Sequence, residues 1–361
     1  MDVADAPMSK SLALSIVVIG RNEGSRLERC LESIREMRSP GPTELIYVDS
    51  NSCDGSPDIA AAAGARVIVL SSSHPTAAAG RNAGWRSAHA PLILFLDGDT
   101  VLDRNFVAES LSEFRDARVA VVFGNRRETN SKGSLYNRVL DLDWIPTQIG
   151  EAEHCGGDAL VRADVLEEVG GYDDRLIAGE EPDMCRRMRG RGYLIIHVNR
   201  PMTGHDLAIK SVKQYWRRAV RSGYAYAEIA HRYRHTSLPF WRRESRLNLF
   251  HSAFLLAVVI AGIASALVTH SSALLAFPGL IVAALAIRTA VRFQWKSDNW
   301  PTLLWYGLHS HTQHIPISIG QMQFWRDQWS GRTPALIEYK DTTLRRDDER
   351  QAAASPQLGN L

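Results

Sequence analysis

The sequence predicts an α/β protein: a doubly wound, mostly parallel sheet of the nucleotide-binding, Rossmann-like kind, followed by C-terminal transmembrane helices. Three observations predict it. Short β-branched runs alternate with helical patterns from the first strand onward. Three of those runs end in polar loops bearing acids, where a doubly wound sheet places its ligand. Beyond about residue 240 the composition shifts to long apolar stretches free of charge.

Ser15–Ile19 is the first strand, and a helix follows from about Gly24 to Met37. Glu44–Val48 is the second strand, with a helix over Ser56–Ala63, and Arg66–Leu70 is the third. A helix around Gly80–His89 leads to the fourth, Leu92–Leu96. The loops Gly20–Glu23, Asp49–Gly55 and Asp97–Asp99 therefore lie at strand C-termini. Further on, Tyr193–Val198 reads as a strand and Asn199–Gly204 as a turn.

With 361 residues and 45% apolar composition the chain can bury a sizeable core. The formal net charge of +2 gives no reason to expect nucleic acid as a partner. Basic residues concentrate between Lys210 and Arg246, directly before the apolar region. Cys30, Cys53, Cys155 and Cys185 form no CxxC pair and fit no zinc spacing, so they read as reduced thiols of a cytoplasmic domain. The N-terminus lacks a basic segment and a small-residue cleavage site, so it does not read as a signal peptide.

The expected organisation is a disordered tail over 1–10, a catalytic domain over 11–235 and a basic linker over 236–248. A transmembrane helical hairpin over 249–292, an interfacial segment over 293–340 and a disordered tail over 341–361 follow. Leu249–Thr269 has the roughly 20 apolar residues a span needs. Ala273–Ile287 continues past Arg288 to Val291, with only His270–Ser272 between the runs. Arg242, Arg243 and Arg246 flank the entry, and Arg288, Arg292 and Lys296 the exit, so both ends of the hairpin should be cytoplasmic. The expected location is the cell inner (plasma) membrane, multi-pass, with membrane lipids as partners. Trp300–Trp325, rich in Trp, His and Gln, reads as a mixed segment, interfacial or packed on protein rather than spanning.

The chemistry concentrates in three motifs. An apolar run ends abruptly in Asp97-Gly98-Asp99. Two carboxylates so spaced at a strand end can share one hard cation, Mg²⁺ or Mn²⁺, able to neutralise a diphosphate. The plain alternative is a turn that favours Asp for its own hydrogen bonds. Asp49 closes a second strand, placed to accept hydrogen bonds from a nucleobase or ribose, while Asp54 and Ser56 suit a helix N-cap. In Gly80-Arg81-Asn82-Ala83-Gly84, backbone N–H groups and Arg81 could hold a diphosphate, unless Arg81 is simply a surface residue of a helix.

In this order the three motifs resemble the inverting family 2 glycosyltransferases, of bacterial membrane-associated type, with the GT-A fold. Ser15–Glu23 resembles the family's opening strand and Asn-Glu, Asn22-Glu23 here, with Gly20 where Pro is usual. Asp49–Ser56 resembles the Asp-Asp-Gly-Ser turn, with Ser50 for the second Asp. Gly80–Gly84 resembles the Ala-Arg-Asn-x-Gly segment, and Asp97–Asp99 falls at the metal triplet. Gly156–Arg162 resembles the acceptor-side strand and turn, and Gly179–Arg187 resembles the Glu-Asp-x-Asp-Leu-x-x-Arg helix start. Gln214–Arg218 resembles the Gln-x-x-Arg-Trp motif of processive members, with Arg218 for Trp, which speaks against processivity.

The resemblance implies transfer of a sugar from a nucleotide-diphosphate sugar to a hydroxyl of a lipid-linked or glycan acceptor, with inversion. It implies Glu181 as general base, with Glu180 and Asp183 as lesser candidates. It implies a donor site of Asn22, Glu23, Asp49, Arg81, Asp97, Gly98, Asp99 and Arg217. Asp99 and His205 would hold the cation, and Asp97 the ribose, the cation or a water bound to it. Acids at a helix N-terminus also suit the helix dipole, and a lone His is often structural. Two other readings stand beside this one: a metal-dependent nucleotidyltransferase, which has no use for a second acidic motif, and a catalytically inert, membrane-anchored nucleotide-sugar-binding protein.

Overall fold

The computed structural model describes residues 12–71, 76–237 and 239–332. The tails expected at 1–10 and 341–361 lie outside the described residues. The chain divides into two compact units. The first comprises residues 1–126, 147–175 and 180–205, and the second residues 127–146, 176–179 and 206–361.

The first unit is built on strands β1 (Leu14–Gly20), β2 (Thr43–Asp49), β3 (Arg66–Val69), β4 (Leu92–Asp97), β5 (Thr100–Leu102), β6 (Val119–Glu128), β7 (Gly150–Ala152), β8 (Ala159–Arg162) and β9 (Leu194–His205). Its helices are α1 (Ser25–Arg35), α2 (Ser56–Ala62), α3 (Ala77–Arg86), α4 (Phe106–Ser110), α6 (Ala163–Val169) and α7 (Glu180–Arg189). Helix α5 (Leu135–Trp144) belongs to the second unit. The sheet order is β3-β2-β1-β4-β8-β6-β9-β5, with β7 beside β9.

The parallel half follows the expectation: β2 and β4 flank β1, and β3 extends the sheet beyond β2, all parallel. Successive β1 residues alternate between two apolar layers. Val17 and Ile19 enter one with Ile46, Val48, Ile93 and Phe95, whereas Leu14, Ile16 and Val18 enter the other with Tyr47, Leu94 and Leu96. A sheet buried on both faces needs apolar residues at every position, which is why these strands read as unbroken runs.

The other half departs from a mostly parallel sheet. β4 pairs antiparallel with β8, and β8 with β6, while β9 pairs antiparallel with both β5 and β7. The sheet is therefore mixed. The strand expected to stop at Val198 runs on to His205, so the turn expected at Asn199–Gly204 is extended chain. β9 lies between β6 and β5, with Thr203–His205 paired to β5, so the sheet holds this stretch extended despite the polar residues that signal a turn.

In the second unit, α8 (Val212–Arg232), α9 (Arg242–Thr269), α10 (Ala276–Arg292), α11 (Trp300–Thr312) and α12 (His314–Ser330) follow α5. Trp300–Trp325, expected as one segment, is two helices meeting at Gln313. Gly223 on α8 and Gly320 on α12 bring those helices together: a Cβ on either would collide with the other helix's carbonyls, at Ile317 and Val220. Between α5, α8 and α11 a polar chain runs from Asp143 Oδ2 to His309 Nε2 at 2.9 Å and from His309 Nδ1 to the Tyr215 hydroxyl at 2.6 Å.

Among the described residues, two stretches are long and apolar enough to cross a membrane, Arg242–Thr269 and Ser272–Arg292. Only 17% and 11% of their apolar windows are buried, whereas a soluble protein's core helix would be mostly covered. Leu256, Ile260, Leu267, Val268, Leu280 and Ile287 all present their side chains outward.

Candidate functional site

The parallel strands end level. Gly20 pairs with Asp49, and Ile19 with Asp97, so the three acid-bearing loops leave the sheet along one edge. The first two are tied together: the Asn22 N–H donates to Ser52 Oγ at 2.9 Å, and Asn22 Oδ1 accepts from the Cys53 N–H at 2.9 Å. Asn22 itself sits at φ 55°, in the left-handed region that Asn tolerates better than most residues. Glu23 is buried and pairs with Arg26 at 2.9 Å. Asp49 is fully buried, accepting from the Ser52 N–H at 2.7 Å, Ser52 Oγ at 2.6 Å and the Tyr47 hydroxyl at 3.1 Å. Its carboxylate thus shapes its own turn. Gly20 is needed beside it, since a Cβ there would lie 2.9 Å from the Tyr47 oxygen.

The third loop carries the acids of the metal reading. Asp97, Asp99 and His205 each offer a ligand atom, all within 4.8 Å of one another. The β5–β9 pairing is what delivers His205, whose Nε2 lies 3.3 Å from Asp99 Oδ1. Gly98 donates its N–H to the Ile19 carbonyl at 2.8 Å, pinning the turn between the two aspartates. Two carboxylates and an imidazole nitrogen form a donor set that could hold a divalent cation.

Beside this cluster, α7 opens with Glu180 and Glu181, and both reach Arg81. Burial, reinforced by Glu180, pushes the Glu181 carboxyl up to about 7, with Arg81 pulling the other way. Asp183 faces elsewhere: it pairs with Arg187 one turn on, at 2.9 Å, and Arg187 also donates to the Val169 and Gly171 carbonyls. Of the three acids named on this helix, the structure brings Glu180 and Glu181 to the cluster and ties Asp183 into the packing of α7.

The Gly80–Gly84 expectation needs correcting. Helix α3 starts at Ala77 under a Thr76 cap, so Gly80 already donates its N–H to Thr76 within the helix. The segment does not offer free N–H groups to a phosphate. Its glycines serve packing instead: a Cβ at Gly84 would run into Val17, and one at Gly80 would lie 3.3 Å from Ile19. Asn82 bridges to Tyr172 and Asp174. Arg81 is 2% exposed, so it is not a surface arginine either.

Two further residues belong to this cluster: Arg126, which lies in none of the motifs, and Asp158, which lies in the Gly156–Arg162 stretch but has no role of its own in the sequence reading. Asp158 is buried at the mouth of β8 and holds three partners: the Asp97 N–H at 3.0 Å, Thr203 Oγ1 at 2.7 Å and Arg126 at 3.0 Å. Burial alone would lower the Arg126 pKa, but Asp158, Asp97, Glu181 and Asp99 around it raise it. The signal that could have found Asp158 is an acid after two glycines at the start of an apolar run. Arg217 stands exposed on α8 in the second unit, and Gln214, one turn before it, is occupied capping that helix through Ser211.

Residues 15–170 match the family model described as glycosyl transferase family 2. Over this stretch the chain is similar to glycosyl transferase family 2. Glycosyltransferase AglE of Haloferax volcanii is 26% identical over 190 residues, 50% of this chain and 62% of that protein. The pre-mycofactocin glycosyltransferase of Mycobacterium tuberculosis is 26% identical over 204 residues, 54% of this chain and 42% of that protein. The chain therefore spans less than two thirds of the length of these relatives. Succinoglycan biosynthesis protein ExoA of Rhizobium meliloti is 25% identical over 268 residues, 68% of this chain and 78% of its own. Among solved structures, mannosyltransferase PcManGT from Pyrobaculum calidifontis, in complex with GDP-Man and Mn²⁺, superposes with a TM-score of 0.55. It is 16% identical and covers 87% of this chain and 88% of that one, a likeness of fold. The fold is GT-A.

Proposed function

We propose that this chain is an inverting glycosyltransferase that moves a sugar from a nucleotide-diphosphate sugar to an acceptor hydroxyl. The observation that carries the reading is the meeting, at one edge of the sheet, of a cation-binding set with an acid of raised pKa. Asp97, Asp99 and His205 supply the first, and Glu181 the second. Charge supports it as well. Asp97, Asp99, Asp158, Glu180 and Glu181 crowd around the guanidinium groups of Arg81 and Arg126, an excess of negative charge that a divalent cation would relieve.

The residues divide the work as follows. Asp99 and His205, with Asp97, hold Mg²⁺ or Mn²⁺, which supplies neutralisation of the diphosphate's charge. The tied loops of Asn22–Glu23 and Asp49–Ser52 form the bed for the nucleoside. Glu181 takes the proton of the acceptor hydroxyl as its oxygen attacks the anomeric carbon. The bond from that carbon to the diphosphate oxygen breaks with its electron pair going to the nucleoside diphosphate. Attack from the face opposite the leaving group inverts the configuration.

The acceptor in this reading is a lipid-linked glycan or polysaccharide precursor at the cytoplasmic face of the inner membrane. Two outward-facing apolar helices and the cationic flanks Arg242, Arg243, Arg246, Arg288, Arg292 and Lys296 support attachment by a hairpin. Exposed Trp295, Trp300, Trp305 and Trp329 suit the headgroup level. The test is a panel of nucleotide sugars scored by thermal shift, with and without Mn²⁺. Metal-dependent stabilisation by at least one nucleotide sugar is expected, and no stabilisation by any of them would end the proposal.

A further inference from the structure

We infer that Arg81 is a positioning residue, the strut that holds the general base against the cation-binding acids, and not a ligand of the donor diphosphate. The inference rests on the glycosyltransferase reading for what the two ends of the strut do. The strut itself is geometric. One guanidinium reaches three carboxylates on two elements: NH2 lies 2.8 Å from Asp97 Oδ1 on β4, while NH1 lies 3.1 Å from Glu180 Oε1 and 3.0 Å from Glu181 Oε1 on α7. The planar fork of arginine can serve two directions at once, which a lysine ammonium cannot do with the same rigidity. Arg81 also lies over the Tyr172 ring, 5.6 Å from its centroid, so its remaining face is covered. With 2% exposure it has no open side to offer a phosphate.

The neighbouring turn is cut to fit this arrangement. A Cβ on Gly157 would stand 2.5 Å from Arg81 NH2 and 2.8 Å from Asp97 Oδ2, and one on Gly156 would stand 3.1 Å from Arg126 NH2. Neither glycine has a positive φ, so their value here is the missing side chain and not a special backbone. The Gly156-Gly157-Asp158 turn thus admits two guanidinium groups, one to Asp158 and one to the strut. Base and cation-binding acids come from elements far apart in sequence. Their separation is set by Arg81, and a misplacement near 1 Å in a reacting pair can cost about 10² in rate.

Two variants and one cycle test this. Arg81→Lys keeps the charge and loses the fork. Gly157→Ala keeps every charge and pushes the strut. Each is measured for kcat at saturating nucleotide sugar and for the Kd of the free nucleoside diphosphate in Mn²⁺. The strut predicts that kcat falls about 10²-fold in both variants while Kd moves less than about threefold. A Kd raised tenfold or more in Arg81→Lys with kcat spared would make Arg81 a diphosphate ligand and overturn the inference. The third measurement needs neither substrate nor metal: melting temperatures of Arg81→Met, Glu181→Gln and the double variant. Arg81→Met leaves buried carboxylates without their partner, and neutralising Glu181 should recover part of that loss, so the double variant melts above the additive value. Strict additivity would overturn the strut. If the wild type turns over no nucleotide sugar, the functional proposal falls and the cycle alone still decides the geometry.

Discussion

Glu181→Gln removes the proton-accepting oxygen while keeping the side chain's size and its ability to meet Arg81. The structure sets the expected size of the effect. Glu181 offers no atom to the cation-binding set, so binding of the nucleoside diphosphate with Mn²⁺ should change less than about threefold. Loss of a general base typically costs about 10²–10⁴ in rate, or roughly 3–5 kcal/mol of barrier. The wild-type pH profile follows from the carboxyl's pKa of about 7. The proton acceptor is the ionised form, so kcat/KM should rise as pH increases through about 7 and level off above it. In the Gln variant this limb should vanish along with the rate. The assay is release of nucleoside diphosphate, with donor varied from well below KM upward to give kcat/KM, between about pH 5.5 and 8.5 so as to bracket that limb on either side. A variant with near-wild-type rate, or one that loses donor binding while turnover is spared, would refute the reasoning and shift the base to Glu180.

Other outcomes follow from the same geometry. Asp99→Asn should abolish Mn²⁺-dependent binding of the nucleoside diphosphate, read by calorimetry, because it removes an anionic ligand from a set that also needs Asp97 and His205. Asp158→Ala removes the buried acid that meets Arg126, the Asp97 N–H and Thr203, and should cost about 3–5 kcal/mol in a denaturant melt. Gly223→Ala should destabilise by about 1–3 kcal/mol, since its methyl meets the Ile317 carbonyl of α12. Gly279→Ala, whose methyl meets nothing within 4 Å, should not destabilise. For the hairpin, a cytoplasm-dependent reporter should work when fused after Lys296 and fail when inserted at Ser271, and extraction by carbonate without detergent would contradict spanning.

The parallel strands were legible because burial on both faces writes each as an unbroken apolar run. The antiparallel half was not, since β6 and β8 lie far from their partners in sequence and no turn chemistry links them. Asn199–Gly204 reads as a turn from its composition, yet pairing with β5 extends it. That pairing is also what places His205 beside Asp99, a juxtaposition that no local pattern encodes. Gly80–Gly84 shows the opposite error. Small residues at a helix start suggest a phosphate cradle, but the Thr76 cap begins the helix earlier and the glycines face β1. Arg126 and Asp158 were invisible as a pair because their contact joins two strands across the sheet. Gln214 carries a capping role that reads, in sequence, like part of a substrate motif.

Inverting transfer of a sugar from a nucleotide-diphosphate donor leaves two signatures, the released nucleotide and the configuration of the product. Proton NMR of one reaction mixture, following the donor's anomeric signal with Mg²⁺ present and then after chelation, reads both. Free nucleoside diphosphate and a product whose anomeric configuration is opposite to the donor's are expected, both dependent on the cation. Pyrophosphate as the released product, or a product that keeps the donor's configuration, would contradict inverting transfer.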